Sequence, residues 1–368
     1  MSPGAPAPLP RPAPAGVPEG LAAGPPWPVT QTLGRHLLLA AGAAVLLLLL
    51  SYAVDAYADY NLAGIAIFAI AAAGLNLVTG VNGQLSLGHG ALMAIGAYTT
   101  SVLLKHDVTL ALPAVVLAAV ASTSAAGAIF GVAAARLRGP YLAGATLALA
   151  VALPQVAIRF SGVFGGEEGL TVPPAAVPAF LGTDFPQERW MAWIALAAAL
   201  LTLVLVANLL RGGVGRALRA VRDDEAAAAL AGIDVARTQV LAFVVSSACA
   251  GLAGSLFALW VGLTAPAGFG LSLSLQLLSA IVIGGLGSLA GAVWGSIVLV
   301  ALPALTGNLA SGYNLSSDIG NNLPLAIYGA FLVAAMLLFP RGIQGGVARL
   351  FGIARTARRE ARGGDRNE

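Results

Sequence analysis

The stretch 271–305, LSLSLQLLSAIVIGGLGSLAGAVWGSIVLVALPAL, contains no charged residue. A run this long and apolar does not suit a water-facing surface; lipid is the solvent that suits it. As one helix it would be a single long, tilted span. The glycine-rich GGLGSLAG at 284–291 points instead to a turn between two short spans, because clustered glycines punctuate helices. Composition extends this reading to the whole chain. Of 368 residues 58% are hydrophobic and 10% charged, where soluble domains carry about 25% charged residues. The fold class that follows is all-α, a polytopic membrane helix bundle.

A helix needs about 20 apolar residues to cross the hydrocarbon core. Working outward from 271–305, spans are predicted near 36–54, 61–80, 85–104, 110–135, 141–160, 190–210, 238–262, 272–286, 289–305 and 323–339. Cytoplasmic segments of membrane proteins collect Lys and Arg. With ten spans and a cytoplasmic N-terminus, the inside segments are 1–35, 136–140, 211–237 and 341–368, plus the uncharged links 81–84 and 287–288. They hold 16 of the 18 arginines. The outside segments keep Arg159, Arg189 and the single lysine, Lys105, against eight acids that include Asp55, Asp59, Glu167 and Glu168. Nine spans would force the Arg-rich 341–368 tail outside, so about ten spans with both termini cytoplasmic are expected. The Pro- and Ala-rich 1–35 lacks the basic start, apolar middle and cleavage site of a secretory signal and reads as a disordered tail. Gly74, Gly80, Gly127, Gly131, Gly251 and Gly254 lie inside spans, where small residues let helices approach closely.

Three polar segments interrupt this pattern. GLNLVTGVNGQLSLGHGALMAIGAYTT, Gly74 to Thr100, sets Asn76, Asn82, Gln84, Ser86 and His89 among glycines in a region apolar enough to span twice. Two readings stand: a cytoplasmic turn, or a broken helix beside a solute path in which Asn76, Gln84, Ser86 and His89 face the solute. His89 has no second ligand-type side chain within helical reach, so a helix-pinning histidine is expected rather than a metal site. The second segment, GRALRAVRDDEAAAALAGIDVARTQV from Gly215 to Val240, is predicted to form one short helix over 216–231 that stops at Gly232. An interfacial helix would favour cations on one face and few acids. Arg216, Arg219 and Arg222 run into Asp223, Asp224 and Glu225, which suits docking to a cytoplasmic partner better. The third is the acidic loop 161–190, read as a partner surface, a lid or a plain connection.

The function classes excluded are informative. The only lysine, Lys105, sits between Leu104 and His106, so no phosphate loop of the G-x-x-x-x-G-K-[ST] type exists. No nucleophile–base or zinc signature appears, and Cys249 is alone. Every Asp and Glu falls in a loop or near a span end, which disfavours the alternative of an ion-coupled secondary transporter, since such proteins keep an intramembrane carboxylate. Basic residues flank spans rather than forming a folded basic face, so nucleic acid is not a partner.

The Gly74–Thr100 block resembles the signature of the LivM-type permease subunits of branched-chain amino acid ABC transporters, the LivH/LivM family. YLAGATLALA (141–150) with GGEEGL (165–170), the block 215–258, and the region from IGGLGSLAGAVWG (283–295) to FPRGI (339–343) agree in order and spacing. The resemblance covers roughly residues 60–345. It implies a LivH-type permease partner, two cytoplasmic ABC ATPase subunits, an extracytoplasmic solute-binding protein and a place in the inner membrane. It implies ATP and Mg on the partner chains, with no cofactor bound by this one. It makes residues 214–232 the coupling helix, with Arg219, Arg222, Asp223, Asp224, Glu225, Ala226, Ala227 and Gly232 at the ATPase. The family pattern resembles E-A-A, three residues, then Gly; here four residues separate Ala227 from Gly232. The expected solute is a branched-chain amino acid, with urea, short amides and aromatic acids as family variants.

Overall fold

The computed structural model describes residues 29–106, 109–137, 140–182, 184–312, 326–327, 329–330, 333–334, 337 and 342–346. The described chain is a helix bundle: α1 (Val29–Ala53), α2 (Ala56–Asn76), α3 (His89–His106), α4 (Leu112–Ala134), α5 (Pro140–Arg159), α6 (Ser161–Phe164), α7 (Gln187–Arg211), α8 (Gly213–Asp223), α9 (Glu225–Leu230), α10 (Val235–Val261), α11 (Leu271–Gly284) and α12 (Leu289–Gly312). Among the described residues, seven helical segments are long and apolar enough to cross a membrane. The chain is therefore a multi-pass membrane protein. Nine of the predicted spans coincide with helices. The tenth, 323–339, falls mostly outside the described residues, as do most of the 1–35 and 341–368 tails.

Packing is organised around α2 and α10. Both are apolar all round, as a helix must be when neighbours rather than water cover it, and they lie against each other with α3 and α4 on α10 and α7 and α12 on α2. The glycines flagged from sequence are where these helices meet. A Cβ on Gly74 would stand 2.6 Å from the Cβ of Cys249, and one on Gly251 would stand 2.7 Å from Thr123 on α4. Gly96 on α3 faces the Gly251 backbone, so α3 and α10 run side by side at near-backbone contact. Two pairs of buried hydroxyls tie α3 to its neighbours: Thr100 Oγ1 donates to Ser255 Oγ and Ser101 Oγ to Thr264 Oγ1, each at 2.7 Å.

Two departures from the predicted boundaries have local causes. α1 begins at Val29, so 29–35, predicted as tail, is helical; the prolines that punctuate the N-terminus end at Pro28, and nothing after it opposes winding. The single helix predicted over 216–231 is two. Asp224 adopts an extended backbone (φ −160°, ψ 110°) and its carboxylate accepts from the amides of Ala226 and Ala227 at 2.8 and 3.0 Å. An N-cap of this kind starts a new helix, so the run of three acids breaks the chain into α8 and α9. Gly232 then stops α9 in the left-handed region (φ +84°), as expected.

At the end of the bundle away from α8, the loop after α6 forms a two-residue strand, β1 (Leu170–Thr171). It pairs antiparallel with β2 (Leu263–Thr264), which follows α10. At this same end Asp59, in the first turn of α2, is completely buried and receives Arg189 Nε of α7 at 3.1 Å.

Candidate functional site

At the α8 end, three separate chain segments converge. α2 loosens over Leu77–Val81 into a wide π turn. Beyond it the chain runs non-helically from Asn82 to Gly88 before α3 begins. The α11–α12 turn, Gly285–Ser288, comes alongside. Asn76 joins the two. Its Oδ1 accepts from Gly287 N at 2.8 Å and its Nδ2 donates to Ser288 O at 2.7 Å, so a single carboxamide satisfies one donor and one acceptor of a turn 211 residues away. The third segment is α8, whose Arg222 sends Nη1 to the carbonyl of Gly80. The stem of Arg222 fills the space beside Gly83, where a Cβ would meet its Cγ at 2.8 Å and where φ is +76°. Both facts require glycine there.

This junction places each residue singled out from sequence. Arg219 turns back onto the chain, its Nη2 donating to Leu210 O at the end of α7 at 3.0 Å, where a cation is favoured by the exposed carbonyls. Arg222 faces the junction. Asp223 and Asp224 are exposed, the latter capping α9. Glu225 Oε1 accepts from Gln239 Nε2 of α10 at 3.0 Å, tying α9 to the bundle. Ala226, Ala227 and Gly232 are exposed. Sequence reasoning overlooked Leu230, the last residue of α9, which is 90% exposed. A leucine at the end of an alanine run gives no signal of this in the sequence.

Of the residues expected to face a solute, the structure brings one to an open space. Gln84 lines a cavity of about 510 Å³ together with Leu85, Leu142, Arg222, Asp223 and Glu225. Its Oε1 accepts from Asn82 Nδ2 at 3.0 Å. Asn76 is 1% exposed and engaged by the α11–α12 turn. His89 is 1% exposed, its ring against α2 at Gly74, so it pins helices as the chemistry of the residue suggested. Ser86 is buried as well. Asn76, Ser86 and His89 are therefore buried within this chain, while Gln84 reaches an open space. The two readings of Gly74–Thr100 are both partly realised: the segment is a turn at the α8 end, and its helix is broken.

A family model described as the branched-chain amino acid transport system / permease component matches residues 57–339. The chain belongs to this family. It is 31% identical to the high-affinity branched-chain amino acid transport system permease protein LivM of Escherichia coli (strain K12) over 300 residues, 75% of this chain and 67% of that one. It is 33% identical to the permease protein LivH of Salmonella typhimurium over 153 residues, 42% of this chain and 46% of LivH. It is 25% identical to the permease protein BraD of Pseudomonas aeruginosa over 293 residues, 76% of this chain and 91% of BraD. No solved structure matches. The permease is of the importer type expected from the sequence, and it is not an enzyme.

Proposed function

We propose that this permease forms half of the translocation pathway of an ABC importer for branched-chain or similar small amino acids in the inner membrane. Its companions are a LivH-type permease, two cytoplasmic ATPases that hold the ATP and Mg, and an extracytoplasmic binding protein. The excess of arginine puts the α8 end in the cytoplasm. The observation that carries the reading is the two-sidedness of α8–α9. Outward it offers Ala226, Ala227, Leu230 and Gly232, a small apolar knob on a charged collar that fits a groove in a soluble partner. Inward it holds Arg222 against Gly80.

The mechanism follows from that arrangement. When the ATPases close, they displace α8–α9. Arg222 carries the displacement to the π turn of α2, and Asn76 carries it on to the α11–α12 turn. The solute passes between this chain and its companion permease, selected largely by the binding protein, with Gln84 near the cytoplasmic exit. One fully buried carboxylate among the described residues, Asp59, is neutralised by Arg189 at 3.1 Å, which disfavours its use in an ion-coupled cycle.

Copurification of the ATPase subunits with tagged permease tests the assignment. Wild type is expected to retain them, while Leu230→Asp and Gly232→Arg lose them and still insert and fold. Wild-type ATPase recovery with both variants would overturn the docking assignment.

A further inference from the structure

Asn76, Ser86 and His89 are buried, whereas α11 carries polar residues on an exposed face. At 14 residues α11 rises about 21 Å, less than the hydrocarbon thickness of about 30 Å. Its start lies inside the bundle, level with the middle of α10. Ser274 Oγ accepts from Gly90 N at 3.0 Å; the neighbouring His89 lies beside Gly74, which in turn meets Cys249 at the centre of α10. From about mid-depth α11 descends to the α8 end. Its outward face presents Ser272, Leu275 and Gln276, with Ser279 half-buried below them. Among the described residues the Gln276 carboxamide has no hydrogen-bond partner.

Exposed side chains on other spans are apolar at Leu117 and Ile129 on α4, Leu201 and Leu205 on α7, and Trp294 and Leu305 on α12. Among the described residues one further exposed amide lies on a span, Gln155 on α5, the helix that packs beside α11 and the turn leading into it. An unpaired carboxamide is disfavoured in hydrocarbon, so a polar face at this depth belongs against protein or water. We propose that Ser272, Leu275, Gln276 and Ser279 form this chain's wall of the hydrated solute path, a reading that rests on the importer function above. The wall carries no charge, offers an amide and hydroxyls, and sets one leucine between them. It fits a small solute of zero net charge with both polar groups and an apolar side group, and it selects against ions.

The test uses the assembled transporter in membranes, with Ser272→Cys, Gln276→Cys and, as controls on exposed apolar faces, Ile129→Cys and Leu205→Cys. The probe is a charged, water-soluble methanethiosulfonate. Cys249 is the one native cysteine and is buried, so wild type reports the background. Ser272→Cys and Gln276→Cys are expected to react at least about tenfold faster than the controls. Rates equal to the controls at both positions would overturn the proposal. ATPase copurification is scored on the same samples. Its loss in wild type would count against the importer reading, and fast labelling would still uphold a hydrated α11 face.

Discussion

The two ends of α2 are held by different chemistry. At the end away from α8 Asp59, fully buried, is clasped by Arg189, whose guanidinium also lies 5.2 Å from the Tyr52 ring and so draws α1 into the same cluster. At the α8 end the holding groups of α2 are of another kind. A carboxamide and a guanidinium grip backbone groups at places where helices are interrupted. A buried ion pair is costly to part, because each charge is stranded when its partner leaves. Hydrogen bonds to turns can be exchanged for bonds to water at much lower cost. One end of α2 is thus an anchor and the other a joint, and the joint is the end that α8 touches.

Arg189→Ala should have the largest effect on stability, about 3–5 kcal/mol, because it strands the Asp59 carboxylate. Thermal unfolding in detergent measures it, and Asp59→Leu combined with Arg189→Met should recover most of the loss. A similar deficit in the double variant would mean that the pair is not what anchors this end. Asn76→Leu removes both bonds to the α11–α12 turn and should cost about 2 kcal/mol by leaving buried backbone groups unpaired. The same unfolding assay applies.

Arg222→Ala should lower stability by only about 1 kcal/mol. It should nevertheless reduce the solute moved per ATP hydrolysed, read in proteoliposomes holding the complete transporter. An unchanged ratio would remove Arg222 from the transmission. The smallest effect belongs to Asp224. Asp224→Ala should destabilise α9 by about 1 kcal/mol and Asp224→Ser by a few tenths, seen as faster amide exchange at Ala226 and Ala227.

The helices were legible because apolar runs of span length have no other home, and nine of them fall where the hydropathy put them. The depth at which a helix begins was not legible. The run 272–286 reads like any other short span, and only the contact between Gly90 and Ser274 places its start beside the start of α3, inside the bundle. Asp59 read as a loop charge because its partner lies 130 residues away. The helical segment between α7 and α10 was legible in position but not in form: it read as one helix over 216–231, whereas Asp224 spends its carboxylate on starting a second helix. Leu230 was hidden because a leucine at the end of an alanine run carries no mark of exposure. Ser272 and Gln276 were hidden because polar residues in an apolar run do not declare which way they face.

The β1–β2 pairing joins the long outer loop, through Leu170 and Thr171, to the chain that descends into α11. A ladder of two residues has little strength alone. A receptor pressing on that loop would tug the very strand from which the polar wall hangs. Cargo delivery outside and opening of the passage within would then share one thread of backbone.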